Sequence, residues 1–174
     1  LKLHNVPATF FVIGSVAEDN RDWLAVLNKN GHEIENHSYG HENMRILEKN
    51  KGVHAIHESI EKTDRIISTA TGKSTIFFRP PYWEISRAAA ASIERTGFKV
   101  LTLEHPDINT LDYDDAVKKR PPSSLLKRVI KFIDEREKRH MFTHVLVFHE
   151  LRITTDALRE CIPLLKEKGY SFVR

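Results

Sequence analysis

The stretch of this chain best suited to chemistry is Glu-Asn-His-Ser-Tyr-Gly-His at residues 35–41, where His37 and His41 stand four apart. On a helical turn that spacing puts both imidazoles on one face. Imidazole is the commonest neutral ligand for zinc and related divalent ions. A catalytic metal site usually takes three protein ligands and leaves one position open, so the pair supplies most of such a site. His140 and His144 share the spacing, and His54 and His57 sit three apart. Those two pairs read as solvated helix or strand-edge histidines. His37 and His41 differ in following a predicted strand, with Asn36 and Ser38 beside them.

Two further stretches carry reactive groups. Arg79-Pro80-Pro81-Tyr82 is rigid, because two prolines fix φ and bring no N–H of their own. Arg79 there can orient a carboxylate through two parallel bonds, and the Tyr82 N–H can serve an oxyanion. A stacked surface turn is the plain alternative. His149 ends the apolar run Val145-Leu146-Val147-Phe148, a position that suits a general acid. Asp107 and Asp112 could tune it, since a nearby carboxylate raises a histidine pKa.

The elements that must position these groups alternate. Apolar, β-prone runs are predicted as strands over 8–13, 32–35, 76–78, 98–103, 144–148 and 169–173. Amphipathic segments are predicted as helices over 16–30, 53–71, 86–96, 123–139 and 155–168. The first run, Ala-Thr-Phe-Phe-Val-Ile, suggests a strand buried on both faces. Val16, Trp23, Leu24 and Leu27 are expected on one side of the first long helix. Ile56, Ile60, Ile66 and Ile67 are expected on the core face of the second. Asp107, Asp112 and Tyr113 are expected in a loop. Strand–helix alternation predicts an α/β fold with a parallel sheet or barrel. The clusters all follow strand C-termini, where such folds build active sites.

With 174 residues, the chain suits one domain spanning 1–174. The net charge of +3 comes without a long basic block, so no nucleic-acid partner is expected. No apolar stretch reaches the roughly 20 residues of a membrane span. The single cysteine, Cys161, rules out an internal disulfide and a cysteine zinc cluster. No pattern sets an oligomeric state.

Taken in order, Pro-Ala-Thr-Phe-Phe-Val-Ile-Gly (7–14), Gly-His-Glu-Ile-Glu-Asn-His-Ser-Tyr-Gly-His (31–41), Phe-Arg-Pro-Pro-Tyr (78–82), Asp-Ile-Asn-Thr-Leu-Asp-Tyr (107–113) and Leu-Val-Phe-His-Glu (146–150) resemble the polysaccharide deacetylase family, the NodB-homology carbohydrate esterases. The resemblance implies a distorted (β/α) barrel. It implies removal of acetyl groups from chitin- or peptidoglycan-like N-acetylglucosamine polymers by a divalent metal, zinc first, with cobalt, nickel or manganese also suited. By the resemblance, His37 and His41 ligate the metal, Arg79 orients the catalytic base, and Tyr82 supplies the oxyanion N–H. Asp112 holds the general acid His149. Tyr113 and Tyr82 contact the sugar, and Val147 and Phe148 line the acetate pocket. The family's Thr-Phe-Asp-Asp motif, which carries the base and third ligand, is expected upstream of Leu1, so the barrel is expected to lack its first strand here. Glu35 and Trp83 stand where the family usually has Gly. Secretion or cell-surface display goes with the family. The alternatives are an inactive carbohydrate-binding homologue and a hydrolase of other non-peptide C–N bonds on the same fold.

Overall fold

The computed structural model describes residues 1–102 and 107–173, with backbone alone for 107–109. These fall into two compact units, one of residues 1–102 with 172–173, the other of residues 107–171.

In the first unit four parallel strands form one sheet: β1 (Thr9–Val12), β2 (Glu33–Asn36), β3 (Phe77–Phe78) and β4 (Lys99–Val100), in that spatial order. Thr9 pairs with Glu33 and Val12 with Asn36, Asn36 pairs with Phe78, and Phe78 with Val100. The β1 side chains are all only partly buried, so the expected two-sided burial is not met. Leu103, at the end of the predicted fourth strand, lies outside the described residues.

The helices are α1 (Gly14–Asp19), α2 (Arg21–Lys29), α3 (Met44–Lys51), α4 (Val53–Thr71) and α5 (Arg87–Glu94). The single helix predicted over 16–30 is broken at Asn20, whose Nδ2 donates to the Val16 carbonyl at 2.8 Å. A short amide that bonds its own backbone competes with helix continuation. The break leaves Leu24 buried but Trp23 67% exposed, so the predicted apolar face is only partly used. Helix α3 has no counterpart in the sequence reading. Asn43 caps it, accepting from the N–H groups of Arg45 and Ile46.

Helix α4 is the centre of this unit. Ile56 and Ile60 join Met44, Phe78, Ile85, Ala89 and Ile93 in one apolar cluster, and Ile66 and Ile67 join Ala17, Leu24 and Ile34 in another. The spacing predicted this face correctly. Gly72, at φ 75°, ends the helix in the left-handed conformation glycine favours.

Glu35 does the work of a missing stretch of ladder. β2 and β3 pair only at Asn36 and Phe78. One step earlier, Glu35 Oε2 accepts from the N–H groups of Ile76 and Phe77, both at 2.8 Å. The side chain is 5% exposed. Burial pushes its carboxyl up from the ordinary value, and the two backbone bonds offset this only in part. A raised carboxyl favours the folded state below its ordinary pKa of 4.5 and loses that contribution as pH rises. Glu35→Gln, which accepts the same bonds without charge, is therefore expected to flatten the stability profile above pH 4.5. Urea melts at pH 4.5 and 7.5 check this; an unchanged pH slope refutes it.

The second unit has a parallel pair, β5 (Asp107–Asn109) with β6 (Val145–Val147), and three helices: α6 (Asp112–Val117), α7 (Pro122–Glu137) and α8 (Arg152–Glu167). The loop expected at Asp112 and Tyr113 is instead the first turn of α6. Among the described residues no strand forms over 169–173, although one was predicted. Helices α7 and α8 pack together, burying Leu125, Val129 and Ile133 from one and Ala157, Cys161 and Leu165 from the other. Burial pushes the Cys161 thiol up to about 11.

Candidate active site

The predicted site residues gather in two groups, each at the C-terminal ends of one unit's parallel strands. In the first unit His37 follows β2 and Arg79 follows β3. His37 N–H donates to Val12 O (3.1 Å) and Arg79 N–H to Asn36 O (3.0 Å), which extends the sheet pattern to the site. The four-residue spacing of His37 and His41 is not helical. The chain between them is a loop in which Ser38 and His41 have φ of 65° and 59°. The rings nonetheless meet edge-on with centroids 5.0 Å apart.

The loop is clamped from several sides. Gly14 and Ser15, at the start of α1, donate to the carbonyls of Ser38 and Tyr39, both at 2.8 Å. Ser59 of α4 accepts from Tyr39 N–H at 2.8 Å, and the Tyr39 hydroxyl donates to Glu18 Oε2 at 2.8 Å. The Lys62 ammonium lies 3.5 Å over the Tyr39 ring. Asn36, fully buried, donates to Ile60 O and accepts from Ser38 N–H. Ser59 and Glu18 are positioning groups with no motif of their own in the sequence, whereas Asn36 lies within the 31–41 stretch.

His37 Nδ1 lies 2.6 Å from the Arg79 carbonyl. A carbonyl only accepts, so Nδ1 carries the proton and Nε2 carries the lone pair a metal would take. Rings at 5.0 Å can both bond one ion at about 2 Å. The pair therefore fits a metal. Among the described residues no group of three or more His, Cys, Asp or Glu stands ready to hold one.

Tyr82 and Trp83 adopt φ of 58° and 59°, unusual for bulky residues. The turn sets the Tyr82 ring edge-on to His41, with centroids 4.9 Å apart. The Arg79 guanidinium lies 5.0 Å from the Phe11 ring centre and 5.8 Å from that of Trp83. Trp83 thus covers Arg79 with an aromatic face where the resemblance leads one to expect glycine.

In the second unit Asp112 and His149 form a tight pair. The Asp112 side chain is 0% exposed and that of His149 47% exposed. Asp112 Oδ1 accepts from His149 Nδ1 (2.7 Å) and from Tyr113 N–H (2.9 Å). Its Oδ2 accepts from His149 N–H (2.7 Å) and from the Thr154 hydroxyl (2.6 Å). Burial alone would push this carboxyl up, but the bonds from His149 and Thr154 outweigh it and hold it below the ordinary range. A carboxylate bonded to Nδ1 fixes the ring so that Nε2 is the proton-transferring nitrogen. Thr154, on the first turn of α8, is a member that the sequence reading missed. The exposed Tyr113 ring lies 6.3 Å from that of His149, and Val147, the last residue of β6, and Phe148 after it are partly buried. The Asp107 side chain lies outside the described residues.

Known proteins resemble this arrangement. The polysaccharide deacetylase pattern matches residues 1–101. The chain belongs to this family. An uncharacterized Bacillus subtilis protein, YlxY, is 30% identical over 173 residues, covering 98% of this chain and 48% of that protein. The Bacillus cereus peptidoglycan-N-acetylglucosamine deacetylase is 28% identical, covering 99% of this chain and 58% of the enzyme. Among solved structures, a CE4 family pseudoenzyme from Bacillus anthracis matches with a TM-score of 0.82 at 28% identity, over 99% of this chain and 55% of that one. This chain spans about half the length of the curated relatives it matches. As a deacetylase-family chain it has the expected α/β fold with parallel sheets. No helix among its described residues is long and apolar enough to cross a membrane.

Proposed function

We propose that this chain is part of a metal-dependent deacetylase that removes acetyl groups from N-acetylglucosamine polymers of the peptidoglycan or chitin type. The observation that carries this reading is the Asp112–His149 pair, a half-exposed imidazole oriented by a fully buried carboxylate. His149 donates a proton to the departing amine, and Asp112 stabilises the imidazolium before that transfer. His37 and His41 hold the ion, zinc first on chemical grounds, with cobalt, nickel or manganese as alternatives. When bound, the ion supplies a Lewis acid for the acetyl carbonyl and lowers the pKa of a water. Arg79 orients the carboxylate base, and the Tyr82 N–H takes developing negative charge on the oxygen. Tyr82 and Tyr113 face the sugar, and Val147 with Phe148 takes the methyl group. Secretion or surface display accompanies such a substrate.

One observation favours a second reading, an inactive carbohydrate-binding relative. A CE4 family pseudoenzyme is among the similar structures. Acetate release from N-acetylglucosamine oligosaccharides, with zinc and after chelation, separates the two. Release that stops on chelation is expected, and His37→Ala or His41→Ala is expected to weaken zinc binding by about 100-fold in calorimetry. Release indifferent to chelator refutes the metal mechanism. Binding of the oligosaccharide without release supports the inactive relative.

A further inference from the structure

The Asp112–His149 pair is tied to a second buried carboxylate. Asp115 lies one turn further along α6, 0% exposed, and Arg128 of α7 grips it at both oxygens: Nη1 to Oδ2 and Nη2 to Oδ1, each at 2.8 Å. The same Nη1 donates to the carbonyl of Thr110 at 2.7 Å. Thr110 is also fully buried, and its hydroxyl and N–H both donate to Val147 O, at 2.7 and 3.3 Å. Thr110 precedes Asp112 by two residues, and Val147 precedes His149 by two. Between Thr110 and Asp112 the chain reverses through Leu111 at φ 55°, a conformation that needs support from its surroundings. One guanidinium therefore pins both sides of the turn presenting Asp112, and through Thr110 it joins that turn to the strand presenting His149. Burial alone would push the Asp115 carboxyl up, but the Arg128 bonds lead in holding it down.

We infer that Arg128, acting through Asp115 and Thr110, is a positioning residue that aligns the Asp112 carboxylate with the His149 ring. The inference rests on His149 being the proton donor proposed above. A planar fork makes these three bonds from two nitrogens held in fixed geometry, which the single ammonium of lysine does not reproduce. Arg120 is a built-in control: its Nη1 also reaches Asp115 Oδ1 at 3.0 Å, with no bond to Thr110 among those recorded for the described residues.

Solvent exchange of the His149 Nδ1–H proton, read by NMR on the histidine-labelled full chain, tests this. Arg128→Lys is expected to speed that exchange by about tenfold or more while the circular dichroism spectrum stays native. Arg120→Met, which removes one positive charge, is expected to leave it within about twofold. If Arg128→Lys does not fold, Asp115→Asn is measured against the same threshold. Exchange within twofold in the Arg128 or Asp115 variant, or equal acceleration in Arg120→Met, overturns the inference. Where turnover is present, Arg128→Lys is expected to lower kcat about tenfold with KM nearly unchanged. The exchange readout needs no turnover, so an inactive protein would count against the proposed function and leave this test in force.

Discussion

Asp112→Asn is expected to lower the melting temperature by about 6–12 °C, from a loss of about 3 kcal/mol. The carboxylate accepts four bonds, two per oxygen, and every partner is a donor. Asparagine offers one accepting oxygen and one NH2 group. Whichever way it sits, one backbone N–H, of His149 or of Tyr113, faces another donor in a fully buried place, and either the Thr154 hydroxyl or His149 Nδ1 must turn from donor to acceptor. The deficit carries a sign in pH. Because the Asp112 carboxyl is held low, its contribution is present above the ordinary value of 3.8 and is lost as pH falls through the folded value. Wild type and variant should therefore converge in acid and separate near neutrality. Turnover, where measured, should fall by about 100-fold or more as His149 loses its orienting partner. Thermal melts at pH 3 and 7 decide the matter. A shift under about 2 °C at pH 7 would show that the four bonds stabilise little.

Gly14→Ala is expected to damage the loop that holds His37 and His41. A Cβ on Gly14 would collide with Thr63 Oγ1 and stand 2.9 Å from Tyr39 Cδ2. Both neighbours are fixed, Thr63 by its bond to Ser59 O and Tyr39 by Ser59 and Glu18. The start of α1 must shift, and its bonds to the Ser38 and Tyr39 carbonyls shift with it. Overpacking of this kind costs about 1–3 kcal/mol. Zinc affinity should drop about tenfold, since ligand orientation tunes affinity on that scale. Gly72→Ala is the control. It strains a residue at φ 75° with open space around it, far along α4 from Thr63. It should cost stability and leave zinc binding unchanged. Calorimetric titration of both variants separates a local effect from general destabilisation, and equal affinities would sink the clamp argument.

Much of the site was legible because its residues follow strand ends, and strand ends are marked by apolar runs that stop. His37, Arg79 and His149 were located this way, and the α4 face by the spacing of Ile56, Ile60, Ile66 and Ile67. What escaped reading depends on contacts distant in sequence. Helix α6 is preceded by Leu111, which offers no side-chain cap, so nothing distinguished it from a loop. The final apolar run, Tyr170 to Val173, lacks a strand partner among the described residues, and a strand exists only through its pairing. Tyr170 instead gives its hydroxyl to Glu137 and meets His144. Thr154, Asp115 and Arg128 carry no motif, because a buried bond between a helix and a loop leaves no period in the sequence. The His37–His41 spacing suggested a helical face. The structure brings the two rings together without a helix, through left-handed residues at 38 and 41.

The buried Cys161 gives the second unit a clock. It is buried on α8, which packs against α7 and α6, and, with a pKa near 11, its thiol carries almost no thiolate at neutral pH. It is the chain's one cysteine, so a thiol-specific reagent reports on this place alone. Labelling requires the packing around α8 to open, and its rate measures how often it does so. Any ligand that engages His149 or its supports should slow that clock, although it never touches the sulfur.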